Sequence, residues 1–221
     1  METSLHQSLK ALYADGEANT EVKLGSYRID AVRDHELIEI QFGSLSAIRP
    51  KIQSLLKRHD VRVVKPIILT KRIVRQAKAD GPVVSRRLSP KRGELLDIFG
   101  ELIYFTTVFP HRRLVIEVPM VHVQHWRLPP EQRRRRRWKK DYKTKDYVLE
   151  GVEATHEFRT TRDLLRLIAS DELPVSFDTA ELADHLGRPR AVAQQIAYCL
   201  RKTGAVSACG KRGNAILYRA A

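Results

Sequence analysis

The chain has 221 residues, 43% of them hydrophobic and 30% charged, which is enough for one large domain or two modest ones with buried cores. Lys and Arg number 40 against 26 Asp and Glu, and the net charge of +14 favours a polyanionic partner such as nucleic acid. No apolar run approaches the roughly 18 residues of a membrane-spanning helix, the N-terminus lacks the pattern of a secretory signal, and Cys199 and Cys209 have no companions at zinc spacing. We therefore expect a cytoplasmic protein with no membrane partner.

The N-terminal segment predicts six elements in the order α-β-β-β-α-β. They are a helix over 3–14, a strand over 20–24, hairpin strands over 27–32 and 37–42, a helix from Ser44 or Ser46 to Leu56, and a strand from Val61. The helices follow from apolar residues at helical spacing, as at Leu5, Leu9 and Leu12. The strands follow from short aliphatic and β-branched runs bounded by polar turns.

The predicted hairpin brings two carboxylates together. A tight turn at 34–35 places Asp30 opposite Glu39, with β-carbons about 5 Å apart. Because side chains alternate along a strand, Gln41 shares the face of Glu39, whereas Ile40 points toward a core. Like charges in this position repel each other unless a cation neutralises them, and Mg²⁺ is often held by one or two carboxylates. The alternative is two solvated carboxylates on an exposed hairpin.

With this order of elements around Asp30 and the tripeptide Glu39-Ile40-Gln41, residues 3–70 resemble the PD-(D/E)xK nuclease superfamily. The resemblance implies an α/β, restriction-endonuclease-like fold, in which a mixed sheet is flanked by helices. It implies that Asp30 and Glu39 bind Mg²⁺ or Mn²⁺, that Ile40 contributes its backbone carbonyl, and that Asp30, Glu39 and Gln41 are catalytic. Gln41 departs from the usual Lys, although some restriction enzymes also carry Glu-x-Gln.

The departure at Gln41 raises the question of a compensating charge. A neutral amide can hydrogen-bond to an attacking water but lacks the positive charge of Lys. Arg49 or Lys51, early in the next helix, could compensate, or both lie on a solvated face. Glu21, or else Glu17, would be a further metal ligand, as a Glu near the first strand is in many members of the superfamily. An exposed strand residue explains Glu21 equally well.

The middle of the chain is dominated by basic residues. A basic loop over 85–93 precedes a predicted helix over 94–105, and 114–118 reads as a buried strand that extends the sheet. From Arg127 to Lys145 there are ten basic and two acidic residues, a net charge of +8.

Such a run of like charges is typical of a flexible or extended arm that becomes ordered on a polyanion. We expect Arg134, Arg135 and Arg136 to contact nucleic acid, with a solvated loop as the alternative.

The C-terminal segment predicts helix, short strand, helix, helix and hairpin. Thr160 or Thr161 begins the first helix, Asp178 or Thr179 the second, and Gly187 and Gly204 end the last two. Residues 160–187 carry a net charge of −4, whereas 188–219 carry +7 with no acid.

This order resembles a winged helix-turn-helix, in which the second helix of the motif enters the major groove and the wing contacts the backbone. The resemblance implies that the DNA-binding residues are Arg190, Gln194, Gln195, Arg201, Lys211 and Arg212. Winged-helix domains also serve as protein-interaction modules.

We therefore predict three regions: a nuclease-like domain over 1–126, a basic arm or linker over 127–159, and a winged-helix domain over 160–221. The arrangement also resembles an uncharacterised prokaryotic family that pairs these modules. The leading hypothesis is a Mg²⁺-dependent DNA endonuclease, with a homodimer as one option. The alternatives are a non-catalytic DNA-binding transcriptional regulator on a nuclease-like scaffold, and an RNA-binding protein.

Overall fold

A computed structural model describes residues 3–14, 19–130, 141–169 and 173–221. Up to residue 158 its helices and strands are α1 (Ser4–Tyr13), β1 (Thr20–Leu24), β2 (Tyr27–Arg33), β3 (Glu36–Ile40), α2 (Arg49–Leu55), β4 (Val61–Val64), β5 (Ile67–Gln76), β6 (Val83–Leu88), α3 (Ile98–Leu102), β7 (Leu114–Leu128) and β8 (Lys143–Phe158). They are followed by α4 (Thr161–Arg166), β9 (Ser176–Phe177), α5 (Thr179–Leu186), α6 (Arg190–Thr203), β10 (Val206–Arg212) and β11 (Ala215–Ala220). The predicted α/β class and the order of the first six elements are confirmed.

The larger sheet is mixed and has the strand order β1-β2-β3-β4-β7-β5-β6, with β8 paired to β7. Strands β3, β4 and β7 run parallel to one another, and β5 is also parallel to β7. β4 and β5 lie end to end against β7. β4 pairs with the first residues of β7, Leu114–Glu117, and β5 pairs with the stretch Met120–Arg127 of β7. The antiparallel β8 pairs with β7 from Ile116 to Leu128.

The hairpin of β2 and β3 has the predicted register. Arg33 pairs with Glu36 and Val32 with Leu37. Asp34 and His35 have φ angles of 48° and 69°, so both residues of the turn adopt the left-handed conformation. A two-residue turn of this kind matches the twist of the flanking strands, and Asp and His tolerate it better than most residues.

Helices cover both faces of this sheet. On one face, Leu5 and Leu9 of α1 pack with Ile38 and Val121. On the other face, the apolar residues of α2 and α3 belong to one core with Leu37, Val63 and Ile116. Strand β3 is therefore buried on both sides, and Glu39 is only 8% exposed within it. A charge in such a strand requires nearby partners.

A buried arginine links four adjacent strands at the end of the sheet where β3, β4 and β7 begin. Arg62 of β4 donates from Nε to Glu36 at 2.7 Å and also binds Glu117 and Glu157. Tyr13 at the end of α1 donates to Glu117. These contacts satisfy charges that would be costly to bury unpaired.

The last six elements form a second, smaller sheet with three helices. Its strand order is β10-β11-β9. The side chain of Asp178 accepts hydrogen bonds from the first turn of α5, which ends at Gly187 with a φ of 60°. Gly204 ends α6 with a φ of 82°. Both glycines occupy the left-handed position that follows many helices, as their sequence positions predict.

These C-terminal helices are packed directly against the larger sheet's helices. The Cys199 thiol of α6 donates to the Phe99 carbonyl of α3 at 3.4 Å. Ile196 and Leu200 belong to the same hydrophobic core as Phe99. The two parts of the chain therefore share one continuous core.

The predicted boundaries around the arm need correction. β7 continues to Leu128, and residues 143–158, which the sequence analysis assigns to an arm or linker over 127–159, form β8 of the sheet. The alternation of apolar and polar residues is disturbed here, because the β7–β8 register shifts at three places between Met120 and Arg127. A period-two pattern could not reveal such a strand.

Candidate functional site

The two carboxylates lie where β2 and β3 stop pairing. The ladder between these strands ends at Ala31 and Ile38. Instead of a backbone carbonyl of β2, Asp30 Oδ2 accepts the N–H of Ile40, at 2.8 Å. Because the N–H and C=O of one strand residue point to the same side, the Ile40 carbonyl is directed toward the same gap.

Asp30 is held as a carboxylate by donors from two elements. His6 Nε2 lies 3.3 Å from Oδ2 and Lys10 Nζ lies 3.6 Å from Oδ1, both from α1. Burial acts to raise the pKa of Asp30, but the hydrogen bonds from His6 and Ile40 and the nearby positive charges lower it below the ordinary value. Asp30 is therefore ionised at neutral pH.

Glu39 has a different balance of charges. Lys51 Nζ from α2 lies 2.6 Å from its Oε2 and also donates to the carbonyl of Arg28. Burial and the charge of Asp30 nevertheless raise the pKa of Glu39, against the opposing effect of Lys51. Of the two cations considered as substitutes for the missing Lys, Lys51 contacts one of the carboxylates, Glu39. The other, Arg49, donates to the carbonyl of Tyr104 at 3.4 Å.

Glu21 lies beside the carboxylate pair without joining it. β1 pairs with β2 on either side of Glu21, which has a φ of 56° and stands across from Asp30. Its side chain forms ion pairs with Lys10 and Arg28. Lys10 therefore bridges Glu21 and Asp30. Glu17 lies outside the described residues.

Gln41 supports the loop that follows β3. Its Nε2 donates to the Ser44 carbonyl at 2.7 Å. The same loop receives a hydrogen bond from Lys65 Nζ to the Phe42 carbonyl at 3.0 Å, and Lys65 pairs with Glu101 at 3.2 Å. Burial lowers the pKa of Lys65. These contacts fix the path from Glu39 to α2, the helix that carries Lys51.

The oxygen donors at the gap fit a hard divalent cation. Asp30 and Glu39 offer carboxylates and Ile40 a carbonyl, a set that suits Mg²⁺, which usually keeps several waters. Within the described ranges, no group of three or more His, Cys, Asp and Glu side chains is placed to hold a metal. The arrangement is therefore a two-carboxylate site and not a cage of protein ligands.

His6 and Lys10 belong to this site but are not among the residues that the sequence predicts for it. The two residues are four apart on α1, a spacing that places both on one side of a helix. The sequence therefore contains a signal that His6 and Lys10 share one side of the helix. What it could not show is that α1 packs against β2 with this side toward Asp30.

The candidate DNA-binding residues of the C-terminal part are accessible. The exposed ones are Arg190, Gln194, Gln195, Arg201, Lys211 and Arg212. Arg212 is paired with Glu181 at 2.6 Å.

The arginine run lies between β7 and β8 in the sequence. Arg134, Arg135 and Arg136 lie outside the described residues. Leu128 and Lys143 are the last pair of the β7–β8 ladder. The run therefore belongs to the connection between two paired strands.

These features define an α/β protein with a large mixed sheet and flanking helices. Its carboxylate pair lies where the strands β2 and β3 stop pairing. Residues 3–159 match a domain of unknown function, DUF8091, and the chain belongs to that family. The chain is similar to an uncharacterized protein of Treponema pallidum (strain Nichols), with 29% identity over 220 residues that cover 99% of this chain and 85% of the relative. No solved structure matches it. No helix in the described part of the chain is long and apolar enough to cross a membrane.

Proposed function

We propose that this protein is a Mg²⁺-dependent DNA endonuclease of the PD-(D/E)xK type, with a restriction-endonuclease-like domain and a C-terminal winged helix that binds DNA. One observation carries the proposal. Asp30, Glu39 and the Ile40 backbone meet where β2 and β3 separate, and Lys51 from the next helix contacts Glu39.

Each residue at the gap has a distinct role in this proposal. Asp30, Glu39 and the Ile40 carbonyl would hold Mg²⁺, and Mn²⁺ suits the same oxygen donors. When bound, the metal lowers the pKa of a water ligand and offsets phosphate charge. Lys51 provides the positive charge that Gln41 lacks, and its Nζ can donate to a phosphate oxygen or an attacking water. His6 and Lys10 keep Asp30 ionised.

The DNA-binding part of the proposal rests on the order α4-β9-α5-α6-β10-β11 and on charge. Residues 188–219 carry a net charge of +7, and the first residues of α6 are exposed. In the docking mode of winged-helix proteins, Arg190, Gln194 and Gln195 would approach base edges, while Lys211 at the hairpin tip would contact phosphate.

A cleavage assay tests the proposal. Purified protein is incubated with supercoiled, linear, branched and single-stranded DNA in Mg²⁺ or Mn²⁺. We expect Asp30→Ala and Glu39→Ala to abolish cleavage and Lys51→Met to slow it about 10²-fold or more, as removal of a charge-stabilising donor does.

Lys57 is exposed and lies two residues after the end of α2, the helix that carries Lys51. Lys57→Met is therefore the matched control, and it should leave the rate of cleavage unchanged. Thermal unfolding shows whether each variant is folded. Cleavage that survives both carboxylate substitutions would sink the assignment.

A non-catalytic DNA-binding regulator is the second candidate, and one observation favours it. Lys10 and Lys51 already neutralise much of the charge of Asp30 and Glu39, so the site does not need a metal in order to fold. This candidate predicts salt-sensitive binding in EDTA and no cleavage in Mg²⁺. An RNA-binding role predicts tighter binding to structured RNA than to duplex DNA at matched salt.

A further inference from the structure

A groove of about 380 Å³ runs between α6 and the hairpin of β10 and β11. One wall is formed by residues four apart on α6, namely Arg190, Gln194, Tyr198 and Lys202. The other wall includes Asn214 of the hairpin. Since a helix rises 1.5 Å per residue, the stripe from Arg190 to Lys202 is about 18 Å long. We call this feature the α6–β11 groove.

The α6–β11 groove is positively charged. Arg190, Arg201 and Lys202 line it, and no described lining residue is acidic. Two other cations of this part of the chain are paired with carboxylates: Arg188 with Glu94 and Arg212 with Glu181. The positive charge of the groove suits a chain of phosphates.

An exposed aromatic ring stands among these cations. Tyr198 is 44% exposed, whereas its helical neighbours Ala197 and Cys199 are buried in the core. Lys202 Nζ lies 5.9 Å from the centre of the Tyr198 ring. Alternating rings and cations are the means by which proteins bind single strands, with bases on the rings and phosphates on the cations.

We propose that the α6–β11 groove binds a single nucleic-acid strand, with a base stacked on Tyr198 and the adjoining phosphates on Arg201 and Lys202. A duplex cannot use the ring in this way, because its bases are stacked on each other. The groove volume lies within the ~300–1,000 Å³ typical of ligand sites. The proposal rests on the nucleic-acid-binding part of the proposed function but does not require cleavage.

Binding in EDTA, where no metal-dependent cleavage occurs, provides the test. Fluorescence anisotropy compares a labelled oligothymidylate, an oligouridylate and a duplex of equal length, with the full chain carrying Asp30→Ala. We expect Tyr198→Ala to weaken oligonucleotide binding by about 5- to 150-fold, and Tyr198→Phe to retain it. Duplex binding should change little in either variant.

The matched control is Tyr104→Ala, because Tyr104 is 56% exposed and lies outside the groove. Arg201→Ala with Lys202→Ala is a second variant that tests the phosphate contacts and should weaken single-strand binding more than tenfold. Tighter binding of oligothymidylate than of oligouridylate would identify DNA as the strand, and the reverse would identify RNA.

Three results would overturn the inference. The first is that neither oligonucleotide binds. The second is that Tyr198→Ala binds both oligonucleotides as tightly as the parent protein does. The third is that Tyr198→Ala loses single-strand and duplex binding to the same extent. Absence of nuclease activity would not affect it, because the assay measures binding alone.

Discussion

Asp30 and Glu39 are neighbours, yet the protein shifts their pKa values in opposite directions. Burial opposes ionisation of both carboxylates. At Asp30 the hydrogen bonds from His6 and Ile40 outweigh it. At Glu39 burial and the repulsion from Asp30 outweigh the contact with Lys51. The charge of Glu39 is thus less well compensated than the charge of Asp30.

This asymmetry predicts that Glu39→Gln stabilises the protein at neutral pH. A carboxyl whose folded pKa is raised makes the folded state bind more protons than the unfolded state, so stability falls as pH rises from 4.5 through the folded pKa. We expect a melting temperature higher by about 2–4 °C, equivalent to ~1 kcal/mol in a chain of this size. The gain should shrink at lower pH, where Glu39 is protonated. A lower melting temperature for the variant would mean that the Lys51 contact is structural.

Asp30→Asn should have the opposite effect. The folded pKa of Asp30 is lowered, so its contribution to stability is present above 3.8 and is lost as pH falls through the folded value. Removing the charged acceptor should cost about 1.5–3 kcal/mol at neutral pH. Urea unfolding at neutral pH and at a series of pH values below 3.8 would measure the difference, which should shrink as the pH falls toward the folded pKa. An undiminished loss in acid would point to packing and not to charge.

At the scale of elements, local signals were sufficient for the parts of the fold that depend on neighbouring residues. The β2–β3 hairpin follows from a polar turn between two apolar runs, and α5 and α6 follow from Asp178, Gly187 and Gly204. These signals therefore gave the correct register of the hairpin from Arg33 and Glu36 to Ala31 and Ile38, next to Asp30 and Glu39.

The contacts that the sequence could not give are long-range. The register shifts in the pairing of β8 with β7 disturb the alternation of apolar and polar residues, so the sequence pattern of β8 does not predict a strand. The approach of His6 to Asp30 depends on how α1 packs, and the contact of Lys51 with Glu39 depends on the tilt of α2. Sequence could name Lys51 as a candidate but could not separate it from Arg49. Packing, not propensity, decides such contacts.

The docking of α6 on α3 predicts unequal reactivity of the two cysteines. Cys199 is fully buried and burial raises its pKa to about 12, whereas Cys209 is exposed. A thiol reagent at neutral pH should modify Cys209 rapidly and Cys199 only after unfolding, because the thiolate is the reactive form. The variant Cys209→Ser should show no fast reaction. Rapid modification of Cys199 would mean that α6 readily leaves α3.

At the scale of the whole molecule, the positive charge is concentrated in particular places. The net charge is +14, yet several cations of the larger sheet are paired, as Arg62 is with three carboxylates. The α6–β11 groove and the connection between β7 and β8 carry positive charge in excess. With the exposed cations of the stretch 85–93, they give a polyanion more than one basic region on the chain.

That distribution predicts a steep salt dependence of duplex binding in EDTA. Each phosphate contact contributes about −0.9 to the slope of log K against log salt, so six to ten contacts would lower affinity by about 10³–10⁵ between roughly 50 and 200 mM salt. We expect Lys211→Ala to reduce the slope by about 1, because Lys211 is exposed at the hairpin tip. Lys57→Ala should leave it unchanged. Anisotropy titrations over several salt concentrations give the slope directly. A slope near zero in the parent protein would exclude phosphate contacts as the basis of binding, and would leave the basic C-terminal part better explained as a protein-interaction module.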